Sequence, residues 1–126
     1  MRALLIDPDK KTISEIEHDG DTTSIRKALG CREYELAALL SDGDKLYFDA
    51  DRFIDNLPPV ACFFLDADRE PPSAGAIPGL GLVVGADGDT KISVSELTAR
   101  VLFVWCRYWP DMGGIGIYSG EAEALG

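Results

Sequence analysis

Apolar and polar residues alternate in short stretches from the start of the chain, and a period of two predicts strands. Arg2–Ile6 is a brief apolar run stopped by Asp7-Pro8, and Thr12–Glu17 sets Ile13 and Ile16 among polar residues before His18-Asp19-Gly20-Asp21. The two read as a β-hairpin closed by a turn of Asp, Pro and Lys. Thr22 or Thr23 then caps a short helix that covers one face of the hairpin, with Ile25, Ala28 and Leu29 at helical spacing and Gly30 as its stop. Tyr34, Leu36, Ala38 and Leu40 fall on one side of an extended segment, Asp42-Gly43 signals a turn, and Leu46 and Phe48 continue into a second hairpin.

The pattern thins after Asp49. Pro58-Pro59 and Pro71-Pro72 bracket Val60–Leu65, which reads as one strand between long connections, with Ser73–Gly79 as loop. Leu80 and Leu82–Val84 form a buried strand entered through Gly79 and Gly81 and left through Gly85. Over Ser93–Trp109, Ser93-x-x-Glu96 is a capping box, and Leu97, Val101, Val104, Trp105 and Tyr108 keep helical spacing up to Pro110. Yet Val101–Cys106 is apolar throughout and rich in β-branched and aromatic residues, so a short helix followed by a buried strand fits as well. The last 14 residues hold five of the 13 glycines, a flexible end unless Ile115, Ile117 and Tyr118 meet a sheet edge or a neighbouring chain. The expectation is a single α+β domain over 1–110, mostly antiparallel sheet built from hairpins with one or two short helices, and a Gly-rich tail over 111–126.

Length and composition narrow the partners. A chain of 126 residues that is 46% apolar supports one core without metal or disulfide staples. With 12 Lys plus Arg against 22 Asp plus Glu, the net charge is −10, which disfavours nucleic acid and anionic membranes as direct partners. The longest apolar runs, Val60–Leu65 and Val101–Cys106, fall far short of the roughly 18 residues that span a bilayer. Ala3–Ile6 is too short for a secretory signal, and Cys31, Cys62 and Cys106 form no CxxC pair, so a reducing, cytoplasmic setting is expected.

Candidate chemistry is sparse. Asp-x-Asp occurs at 7/9, 19/21, 42/44, 49/51, 66/68 and 87/89, and four of these pairs open with Asp-Pro or Asp-Gly, the dipeptides of turns. Gly85–Glu96 resembles an EF-hand loop, with Asp87, Asp89 and Glu96 as calcium candidates at positions 3, 5 and 12. Gly85 at position 1 and Thr90 at position 6 depart from that pattern, so no metal site is assigned. His18, the sole histidine, reads as a solvated turn residue, and no catalytic residue or cofactor is expected. Trp105, Tyr108, Trp109, Ile115 and Ile117 are the candidates for a partner or self-association interface.

The opening MRALLIDPDKKTISEIE, the segment Ile25–Cys31, the hairpin Asp42–Asp49 and the stretch Gly79–Asp87 together resemble a family of small uncharacterised proteins. Its members come from phages, plasmids and bacterial genomes, open with an MRALLIDP-like strand, and constitute a domain of unknown function. The resemblance spans most of 1–104 and implies a short helix leading to a strand over Ser93–Phe103; residues 51–62 and 105–126 depart from it. It also implies a mobile-element accessory protein. The expected function is a non-catalytic interaction protein whose acidity meets a basic protein partner, DNA mimicry being a special case. The alternatives are a small carboxylate-based metal- or ligand-binding protein or enzyme, and a homodimer formed through Trp105–Ile117.

Overall fold

Two antiparallel sheets pack face to face, and a short helix covers the outer face of the larger one. The computed structural model describes residues 1–40, 43–50, 60–65, 74–109 and 114–118. Its elements are β1 (Arg2–Asp7), β2 (Thr12–Glu17), α1 (Thr22–Leu29), β3 (Tyr34–Leu39), β4 (Lys45–Asp49), β5 (Val60–Leu65), β6 (Ala74–Pro78), β7 (Gly81–Val84), α2 (Val94–Arg100), β8 (Val101–Trp109) and β9 (Gly114–Tyr118). The larger sheet runs β2-β1-β7-β4-β3 and the smaller β6-β5-β8-β9, with every pairing antiparallel. This is an α+β domain of mostly antiparallel sheet with two short helices among the described residues.

The late strand β7 enters between the two early hairpins, which explains its apolar sequence. Strands buried on both faces lose the alternation that marks a half-exposed strand. The register puts Leu4, Val83 and Leu46 in one cross-strand row and Leu5, Leu82 and Tyr47 in the next. Leu4, Val83 and Leu46 face the second sheet, where they pack with Phe63, Leu65 and Ile77 and with Leu97 of α2. Leu82 faces α1 and packs with Ala3, Val84, Ile25 and Leu29, bordered by Leu5 and Tyr47. Gly81 permits a close approach of the sheets: a Cβ there would lie 2.6 Å from the Phe63 ring.

Asp21 caps α1, its Oδ1 accepting from the Ser24 N–H at 2.8 Å; the cap is one residue earlier than the threonines the sequence offers. Gly30 ends the helix at φ 65°. The helix lies over β7 and β3 instead of the first hairpin alone. Ser93 caps α2 by accepting from the Glu96 N–H at 3.1 Å, and α2 passes directly into β8 at Val101. The helix-then-strand alternative holds because Val101–Cys106 pairs with all six residues of β5.

Three expectations change. The stretch 73–79, expected as loop, contains the edge strand β6, whose Ala and Gly residues carry no hydrophobic period and whose Pro78 is tolerated at an edge. Tyr34, Leu36, Ala38 and Leu40 do not share a side, because a bulge between Leu36 and Ala38 shifts the register of β3 on β4. Tyr34 joins the cluster under α1, Ala38 and Leu40 join the inter-sheet core, and Leu36 stays exposed. Of the stretch read as a tail, 114–118 is β9, paired with β8 at the edge of the smaller sheet, and 119–126 lies outside the described residues.

Candidate functional site

The described Asp-x-Asp residues serve separate local contacts. Asp7 Oδ1 accepts from the N–H groups of Asp9 and Lys10, at 3.1 and 3.3 Å, and so shapes the β1–β2 turn. Asp89 Oδ1 accepts from the Arg2 N–H at 2.6 Å, and the Thr90 N–H donates to the Arg2 carbonyl at 3.0 Å, which ties the loop after β7 to the head of β1. Asp44 is 1% exposed, and its Oδ2 accepts from the N–H groups of Lys91 and Ile92 at 2.8 and 3.1 Å. Asp42, Asp51, Asp66 and Asp68 lie outside the described residues.

The calcium candidates are placed apart in the same way. Asp87 is exposed in the loop after β7, Asp89 holds Arg2, and Glu96 Oε1 accepts from the Ser93 hydroxyl at 3.0 Å in the cap of α2. Among the described residues, no three His, Cys, Asp or Glu side chains lie together so as to hold a metal ion.

His18 corrects the reading of a solvated histidine: it is 8% exposed. It extends the first hairpin by one pair, since its N–H donates to the Met1 carbonyl at 2.9 Å and the Met1 nitrogen donates to its carbonyl at 2.8 Å. Residues two apart on a strand share a face, so His18 continues the row of Ile16 under α1. That continuation is the signal the sequence carried. The imidazole Nδ1 accepts from the Gly20 N–H at 3.0 Å, which puts the ring proton on Nε2. Nε2, Asp44 Oδ1 and Thr90 Oγ1 are buried without a hydrogen-bond partner among the described residues.

Two cavities flank His18 and share Met1 as a second lining residue. One, of about 420 Å³, lies between the end of β2 and α1, with Glu17 and Asp19 at its rim and Ile16 and Ala28 in its wall. The other, of about 240 Å³, lies over the ends of β7 and β4, with Asp87 at its rim and Ile25, Tyr47 and Val84 in its wall. Lys27 borders the first and Lys45 the second. Glu17 pairs with the Met1 nitrogen at 3.1 Å, whereas the Asp19 and Asp87 carboxylates form no hydrogen bond or ion pair among the described residues. Beside them the Ser24 N–H, and then its hydroxyl, hold the Asp21 carboxyl below the ordinary 3.8, so it remains charged. The arrangement sets apolar wall beside rim carboxylates that alternate with Lys27, Lys45 and the Met1 nitrogen, and the two uncommitted carboxylates, Asp19 and Asp87, suit a guest with an aliphatic stem and a cationic head.

A family model described as a domain of unknown function, DUF3846, matches residues 1–103. The chain belongs to this family. No curated protein and no solved structure matches it. The DUF3846 match takes in β1 to β7, both helices and the first three residues of β8, and therefore the whole surround of His18. The interface candidates lie past it. Trp105 is half-buried in β8, opposite Ala61 and Tyr118 in register. The backbones of Tyr108 and Trp109 pair with those of Ile115 and Gly114, and Ile117 pairs with Cys106; the side chains of Tyr108, Trp109, Ile115 and Ile117 lie outside the described part.

Proposed function

We propose that this DUF3846 chain is a non-catalytic interaction protein that takes Lys or Arg side chains of a basic protein partner at the cleft around His18. The observation that carries the reading is the placement of Glu17, Asp19 and Asp87 on the rims of two adjoining cavities with apolar walls. Desolvated aliphatic stems supply contact area, and rim carboxylates steer the encounter and fix its register. Charge elsewhere favours the same partner. Nine of the 22 acids but only two of the 12 bases lie outside the described residues, so those segments carry −7 of the −10. The meeting place is the cytoplasm, in keeping with Cys31 and Cys62, neither of which is in a disulfide. An accessory role in a mobile element is the biological setting we infer from the family resemblance.

A Lys-rich peptide titrated into isotope-labelled protein tests this, read by amide chemical shifts at low salt and at about 0.5 M salt. Saturable shifts confined to residues 16–24 and 84–88, lost at high salt and abolished by Asp19→Lys with Asp87→Lys, are expected. Shifts that ignore the double substitution, or a chain that takes up no peptide, would overturn the reading.

A further inference from the structure

At the other end of α1 the chemistry reverses. A groove of about 600 Å³ is lined by Arg26 and Lys27 from the last helical turn, Arg32 from the segment that follows, Thr23, Cys31 and Asp49. Three cations line it in a protein with 22 acids, yet among the described residues none of the three side chains is in an ion pair or hydrogen bond. Basic residues at a helix C-terminus commonly serve the terminal carbonyls. Here that work is already done by backbone: the Arg26 carbonyl accepts from the Cys31 N–H at 3.1 Å, and the Lys27 carbonyl from the Gly30 N–H at 3.3 Å. Arg32 lies beyond the helix and has no such role.

We propose that this groove binds a small phosphate-class anion, an inorganic phosphate or a phosphate monoester. Guanidinium groups present forked donors that match phosphate oxygens two at a time, and two of the three cations are arginines. A monocarboxylate engages one fork, whereas a dianionic tetrahedral group has oxygens enough for Arg26, Arg32 and Lys27 together, with the Thr23 hydroxyl as a further donor. Asp49 is the one acid among the described lining residues, and the three cations outnumber it, so a dianion gains more from the site than a monoanion does. The groove is open and its cations are exposed, which sets the affinity in the millimolar range and makes it fall with salt. This site is independent of the His18 cleft; Lys27 alone borders both.

Sodium phosphate titrated against sodium chloride of matched ionic strength, followed by amide shifts, separates specific binding from screening. Saturable phosphate-specific shifts over residues 23–32 and 49 are expected, weakened at least tenfold in Arg26→Glu with Arg32→Glu. Phenyl phosphate in a parallel arm, binding as well as or better than inorganic phosphate, assigns the ester as the source. Cys31 provides a reading on the unaltered protein, because phosphate in the groove slows its alkylation by the anion iodoacetate several-fold, as peptide mass mapping resolves. Shifts that chloride reproduces, or that survive the double charge reversal, would sink the proposal, as would alkylation indifferent to phosphate. Since amides 16–22 and 84–88 report on the basic peptide alone and 25–32 and 49 on phosphate alone, failure of one site leaves the other standing.

Discussion

The two faces of the five-stranded sheet are both buried, but by different means. Toward the second sheet, Leu4, Ile6, Leu46, Val83, Phe63, Leu65 and Leu97 are all at or below 1% exposed, and the rows of two sheets interdigitate. Toward α1, Leu82 alone among the large side chains reaches that level, with Ile25, Leu29 and Val84 at 7, 3 and 6% exposed over the small Ala3. A sheet can cover a sheet along several strands, whereas a helix of eight residues covers little more than two. The inter-sheet side therefore carries most of the packing energy, and the helix side carries the openings. Both candidate binding places, the cleft at His18 and the groove at Arg26, lie along α1.

Substitutions on each face test the asymmetry. Phe63→Ala empties the inter-sheet core where the ring lies over Gly81, and a loss of about 3–5 kcal/mol is expected in denaturant unfolding. A smaller loss there than on the helix face would contradict the tighter packing between the sheets. Leu29→Ala, on the helix face, is expected to cost about 2 kcal/mol, because a short covering helix can settle into the space. Hydrogen exchange sharpens this: amides of α1 should open at lower free energy than those of β1 and β7.

Asp44→Ala removes the acceptor for the Lys91 and Ile92 N–H groups and is expected to cost about 1–3 kcal/mol, with faster exchange at those two amides. The smallest effect belongs to Asp21→Ala, a slight drop in melting temperature with fraying of the first turn of α1. Its pH dependence has a definite sign. Because folding lowers the Asp21 pKa below 3.8, its contribution is fully present above that value and is lost as pH falls through the folded pKa. The melting temperatures of wild type and Asp21→Ala should therefore converge on acidification below about pH 4. A gap that widens there would contradict the cap.

Much of the local structure was legible because local rules govern it. Asp7-Pro8 forces a turn, Gly30 stops a helix, and Ser93 with Glu96 caps one, each within four residues of chain. The candidate sites were less so. Arg26, Lys27 and Arg32 are near in sequence, but only the capped end of α1 beside Asp49 makes them a groove, and His18 looked solvated until its pairing with Met1 drew it under the helix.

What the sequence determined by itself was therefore the α+β class, the two hairpins, the stop of α1 at Gly30 and the cap of α2 at Ser93, since periodicity and turn chemistry act over a few residues. Tertiary structure decided the rest: the entry of β7 between hairpins made earlier in the chain, the bulge in β3, the strand over 74–78, and the choice of strand after Arg100. Those outcomes depend on which distant backbone groups find partners. A local pattern carries no record of the strand that will lie beside it.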